Sequence, residues 1–165
     1  MSRLIFLFAF CMLVPLAQAA EEAFVSTRTL NTALVSQLAV ATEQACAKRG
    51  YQVAVAVTDR YGNLLGFLRN PLAGAHTITV AEHKAYTAAT FQSATLGLAE
   101  RMSFLQGTPK ISLVGGGVPV RSGGFMYGAV GVSGAPREKQ PGDVDDACAR
   151  EGIKAIIEEL EFAGG

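Results

Sequence analysis

Residues 115–134 read Gly-Gly-Gly-Val-Pro-Val-Arg-Ser-Gly-Gly-Phe-Met-Tyr-Gly-Ala-Val-Gly-Val-Ser-Gly. Glycines alternate here with β-branched and aromatic side chains. The pattern predicts two strands, Val118 to Arg121 and Phe125 to Val132, joined at Ser122-Gly123-Gly124, with small residues wherever another group approaches the backbone closely. No Gly-Lys-Ser/Thr follows, so the stretch is not a phosphate loop. It marks a sheet with a close-packed or ligand-lined face and carries few groups able to do chemistry.

Working outward, Ile111 to Val114 reads as a further strand, set off by Gly107-Thr108-Pro109. Gln52 to Thr58 alternates around Val53, Val55 and Val57, and Leu64 to Leu68 pairs back across the turn Asp59-Arg60-Tyr61-Gly62-Asn63. Helices are expected over Thr29 to Arg49, stopped by Gly50, with Leu30, Leu34, Leu38, Ala41 and Ala45 as its apolar stripe. Thr79-Val80-Ala81-Glu82 matches a capping box that opens a helix running to Thr90. A short helix follows over Thr95 to Met102. The last helix is capped by Asp143, with Asp145 and Asp146 adding charge at its positive end and Val144, Cys148, Ala155 and Ile156 on its buried side. The order αββααβββα with short connections predicts an α+β single domain: a five-stranded antiparallel sheet flanked by helices.

Arg3 is the one charge before Glu21, Leu4 to Leu16 is apolar, and Ala17-Gln18-Ala19 is a small-x-small cleavage pattern. Residues 1–19 therefore read as a signal peptide, too short for an easy membrane span, and 20–165 as the exported domain, periplasmic or secreted. Losing Arg3 leaves 13 of the 14 basic residues against 14 acids, a net charge of −1 with no basic surplus for nucleic acid. No membrane span is expected after cleavage. Cys46 and Cys148 remain; an oxidising compartment permits a bridge, but two small buried residues explain them as well. Neither has a partner at zinc spacing.

Three blocks then make the chain recognisable: Ile78-Thr79-Val80-Ala81-Glu82-His83-Lys84-Ala85-Tyr86-Thr87-Ala88; Gly116-Gly117-Val118-Pro119-Val120; and Gly128-Ala129-Val130-Gly131-Val132-Ser133-Gly134, with Asp145 and Cys148-Ala149 behind. In this order and spacing they closely resemble the GlcG/HbpS-type haem-binding family, related to the C-terminal domain of PduO, over Leu30 to Leu160. The resemblance implies the same sheet-and-helix domain, self-assembly into a homo-oligomer, and binding of haem or a related tetrapyrrole. A corrinoid is the alternative macrocycle. It implies no agreed reaction and carries over no axial ligand.

Haem requires an apolar slot, an axial donor and cations for its propionates. His76 and His83 are the strong nitrogen donors. His76 is preferred as the metal ligand, because a loop can present it into a cleft. Lys84, Arg69 and Arg121 could meet propionates or another carboxylate, against the plainer reading of solvated or snorkelling cations. Phe67, Phe91, Phe125, Met126 and Tyr127 supply apolar surface, most of it core. Gly131-Val132-Ser133-Gly134-Ala135 imitates a nucleophile elbow, but a Pro-containing loop follows where a helix is needed and both histidines precede the serine.

The leading expectation is thus an exported haem- or tetrapyrrole-binding protein acting in binding, storage or sensing without turnover. One alternative is an enzyme acting on a small carboxylate-bearing metabolite, held by Lys84 with a histidine moving a proton. Another is an oligomeric accessory or scaffold protein.

Overall fold

The computed structural model describes residues 23–163; the signal-peptide reading of residues 1–19 lies outside them. In chain order the elements are α1 (Thr32–Ala47), β1 (Ala54–Asp59), β2 (Leu64–Arg69), α2 (Thr77–Thr90), α3 (Leu98–Arg101), a 3-10 turn over Ser103–Leu105, β3 (Gly117–Ser122), β4 (Phe125–Ser133) and α4 (Asp143–Ala163). The strands form one antiparallel sheet in the order β2-β1-β4-β3.

The sheet has four strands and not the expected five. Ile111 to Val114 belongs to no strand, and Val114 lies in a bend. Its backbone groups go elsewhere: the Ile111 N–H closes a turn onto Thr108 O, and the Ser112 N–H donates to Thr87 Oγ1 on α2 at 2.8 Å. Lys110, just before it, sits in the left-handed region at φ 64°, a backbone state outside the β region that a continuing strand needs. Short apolar runs look alike whether they pair or line a helix, so periodicity could not separate the cases.

Two helix starts also differ from expectation. The segment Thr79–Glu82 is not a capping box, because α2 already begins at Thr77, with His76 at the N-cap making no side-chain capping bond. Thr77 Oγ1 instead donates to Gly74 O at 2.6 Å. The helix expected over Thr95 to Met102 shrinks to Leu98–Arg101, since Gly97 at φ +75° interrupts it. By contrast α1 is opened by Asn31, whose side chain accepts from the Leu34 N–H at 2.9 Å. On α4, Val144, Cys148 and Ile156 are buried as expected, but Ala155 faces solvent and Ala149 and Gly152 take the inner positions.

The layers follow from which side chains sit on each sheet face. Val53, Val55, Val57, Val118, Val120, Val130 and Val132 point one way and form the main core with α1 and α4. Ala54 and Ala56 point the other way, against Ala81 and Ala85 of α2. Each buried valine contributes about 1.5–3 kcal/mol. The alanine face contributes less burial per residue but lets α2 lie almost on the sheet backbone. Gly131 shows how near: a Cβ there would stand 2.1 Å from Ala81 O. The glycine-rich face is therefore close-packed against a helix, not lined by a ligand. Across the valine core, Cys46 of α1 and Cys148 of α4 are joined by a disulfide with Cα atoms 5.4 Å apart.

The close approach yields a prediction. Gly131→Ala forces α2 off the sheet and should cost about 1–3 kcal/mol, the range for overpacking a tight interior, read as a lower midpoint in urea unfolding.

Candidate functional site

The inner side of α2 is fully committed. Thr77, Ala81, Lys84, Ala85, Thr87, Ala88 and Ala89 are buried. Lys84 is 2 % exposed, and its Nζ donates to Asp145 Oδ2 at 2.7 Å and to Val132 O at 2.9 Å. Asp145 Oδ1 accepts from the Ala135 N–H at 3.0 Å, so both carboxylate oxygens are used. Burial pushes the Asp145 carboxyl above its ordinary value, opposed by the attraction of Lys84. The carboxylate that meets Lys84 thus belongs to the chain itself. The cleft that a carboxylate-metabolite enzyme would need, Lys84 beside a histidine, is not formed among the described residues.

The outer side of α2 is different. His76 has helical backbone angles, φ −61° and ψ −24°. Seven residues are almost two turns, so His76 and His83 share one side of the helix, roughly 10 Å apart along the axis. His76 is exposed and its ring lies against Gly74, where a Cβ would be 2.7 Å from Cε1. His83 is half-buried and walls a hollow of about 280 Å³ with Thr58, Asn63, Leu64, Glu82, Tyr86 and Lys110.

This hollow is assembled by the turn between β1 and β2. Asp59 Oδ1 accepts from the Tyr61 and Asn63 N–H groups at 2.8 and 2.9 Å, and Oδ2 accepts from Asn63 Nδ2 at 2.9 Å. That Asx arrangement places Gly62, at φ +86°, under the Tyr86 ring, where a Cβ would come within 2.7 Å. Lys110 Nζ stands 5.8 Å from the centre of the same ring, a cation–π contact. The hollow therefore offers an imidazole, a phenol and an ammonium to one occupant. From sequence, Glu82, Tyr86 and Asn63 read as parts of a helix start, a family block and a turn, and neither they nor Lys110 are named as site residues; Tyr86, three residues after His83 and so beside it on a helix, carries a local signal.

The remaining candidates lie apart. Arg69 ends β2, and its guanidinium donates to the carbonyls of Ala73 and Pro71. Arg121, one residue before the end of β3, donates to Gln92 O at 2.8 Å; it borders a trough of about 260 Å³ with Arg150 and Lys154. Met126 and Tyr127 are buried, and Ser133 closes β4 as a buried strand residue. A larger cavity of about 460 Å³ lies between Gly97–Gly107, Ile111–Val114 and Pro141, with no histidine in its lining.

Fold and site together define a small three-layer α+β domain that displays nitrogen and oxygen donors on one outward helix face above a sealed ion pair. The chain belongs to the HbpS-like family, whose model, described as haem-degrading protein HbpS-like, matches residues 30–154. Protein GlcG of Escherichia coli K12 is 33% identical over 109 residues, covering 63% of this chain and 81% of the relative. A double variant of HbpS from Streptomyces reticuli superposes with a TM-score of 0.74 at 33% identity, covering 88% of this chain and 98% of that one. The PduOC:heme complex superposes with a TM-score of 0.67 at 27% identity, covering 78% and 95%.

At the start of α4 a second acid behaves oppositely to Asp145. Asp143 accepts from the N–H groups of Glu138, Lys139, Gln140 and Val144, and these bonds lower its carboxyl from 3.8 to about 2. A depressed acid contributes stability that is present above the unfolded value and is lost as pH falls through the folded one. Replacing Asp143 by Asn should therefore flatten the loss of stability between pH 3.8 and about 2, measured by urea midpoints at both ends of that window.

Proposed function

We propose that this is an exported protein that holds haem, or a related tetrapyrrole, on the outward face of α2 as a self-associated oligomer, without turning it over. The observation that carries the reading is His83 on the wall of a hollow shared with Tyr86 and Lys110, in a chain of the HbpS-like family. A solved relative of 27% identity holds haem. Export is supported by the leader pattern of residues 1–19 and by the Cys46–Cys148 bridge, which suits an oxidising compartment. Among the described residues no helix is long and apolar enough to cross a membrane.

The donors fit the group, but Thr58, Asn63, Glu82, His83 and Lys110 make the hollow mainly polar, so it supplies contacts to the iron and a propionate while the apolar slot for the ring must come from outside it. A neutral imidazole suits haem iron, and the Lys110 ammonium suits a propionate. Bound there, haem would supply an iron centre able to accept a nitrogen donor. His83 would present that nitrogen, Tyr86 would pack beside it, and Asn63 and Glu82 would line the polar rim. At about 280 Å³ the hollow falls just below the range of small-molecule sites, roughly 300–1,000 Å³, so one copy receives only an edge of the macrocycle. His76, on the same side of the helix, is the second donor to test.

Titrating haemin into the purified protein should give a saturable shift of the Soret band that persists for hours. His83→Ala should weaken binding at least tenfold and move the band; His76→Ala isolates that residue's share. No Soret shift and no saturation with the unaltered protein would end this reading.

A further inference from the structure

The two edges of the sheet are treated differently. On β3, Gly117 is covered by Thr95: the Gly117 N–H donates to Thr95 Oγ1 at 2.9 Å and the Thr95 N–H donates to Gly117 O at 2.9 Å. Two residues on, facing the same way, Pro119 has no N–H to offer. A covered and proline-bearing edge cannot template another strand.

The β2 edge has neither device; its one interruption is a bulge at Leu65, opposite Val57 and Thr58, which leaves Gly66 to Arg69 regular. The Asn70 N–H donates to Val53 O, so Leu68 and Gly66, at alternate positions, also bond inward to β1. The backbone groups of Phe67 and Arg69 consequently face outward, where no described element covers them. The strand reads Leu-Leu-Gly-Phe-Leu-Arg, with Leu64 50% and Leu65 41% exposed. Beside it lies an apolar shelf of about 230 Å³ formed with Val35, Ala39 and Val40 of α1, and its lining contains no charged residue.

We infer that β2 pairs with β2 of a second copy about a two-fold axis centred on Phe67, joining two sheets into one of eight strands. This deepens the self-association proposed above by naming its surface. A second copy is the fitting occupant because the outward groups of Phe67 pair with themselves in antiparallel register, as an isologous contact requires. The neutral shelf sets no like charges against each other. The strand edge is about 20 Å long, too narrow alone for the roughly 800 Å² per partner of a standard interface. The shelf and the loop from Asn70, with Leu72 81% exposed, supply the remaining apolar area. The pairing is regular around Phe67; beyond the bulge at Leu65 the Asn70 loop of one copy comes near Leu64 of the other. Leu64 is on the rim of the His83 hollow, so the second copy's loop walls the open side of that hollow.

The register is testable directly. At a hydrogen-bonded antiparallel pair Cα atoms are about 5.5 Å apart, within disulfide range. Phe67→Cys should therefore form an intermolecular disulfide under mild oxidation, doubling the mass on a non-reducing gel, whereas Leu65→Cys, displaced four residues from its own copy, should not. Leu65→Lys should weaken self-association at least tenfold by analytical ultracentrifugation, with circular dichroism checking that the fold persists. Absence of the cross-link in the Phe67→Cys variant while the protein still assembles would overturn this surface and leave haem binding untouched. A monomeric unaltered protein would overturn it as well.

Discussion

Lys84 leaves α2, passes the end of β4 and meets Asp145 at the start of α4, with Val132 O as its second acceptor. Three elements that are distant in sequence are fixed by this contact. Space for it comes from glycine. At Gly116, φ +115°, a Cβ would stand 3.0 Å from Lys84 Nζ and 2.7 Å from Asp145 Cβ; at Gly117 it would stand 2.2 Å from Lys84 O. The Gly115–Gly117 run is thus the passage through which a helix, an ammonium and a carboxylate come together. A buried pair is costly to desolvate and its net stabilisation is modest, but removing one partner strands the other in an apolar interior at about 3–5 kcal/mol.

With the inner side of α2 held this way, its outer side is free. The Val face of the sheet makes the main core with α1 and α4, and the Ala/Gly face seats α2 so closely that no ligand fits between. The outward stripe of His76, His83 and Tyr86 is then the part of α2 left to meet a ligand. The turn pinned by Asp59 makes a hollow at one end of that stripe, and the uncovered β2 edge runs from its rim. The hollow and the uncovered β2 edge are contiguous because both are what remains after the helix and the two hairpins have packed.

Much of the framework was legible in the sequence. Alternating valines gave β1, Gly50 ended α1, and Gly123-Gly124, both at positive φ, made the β3–β4 turn. The fifth strand was misread because Ile111 to Val114 has strand composition but is bonded to Thr87, which local pattern cannot register. The site was half legible. Both histidines stood out as donors, yet Lys84 looked available, since its partner Asp145 lies 61 residues away. Lys110 joins His83 only through tertiary packing, so nothing near it in sequence pointed there. Of the motifs that made the chain recognisable, Lys84, Gly116-Gly117 and Asp145 serve the pin, while Glu82, His83 and Tyr86 of the first block line the hollow.

The account rests on Lys84 and Asp145 acting as one unit, and a double-mutant cycle in urea unfolding measures that directly. Lys84→Met and Asp145→Leu should each be strongly destabilising, while the double variant, with no stranded charge, should lose far less than their sum, a coupling of about 2–3 kcal/mol. Losses that add within about 0.5 kcal/mol would show the two groups to be energetically independent and contradict the account.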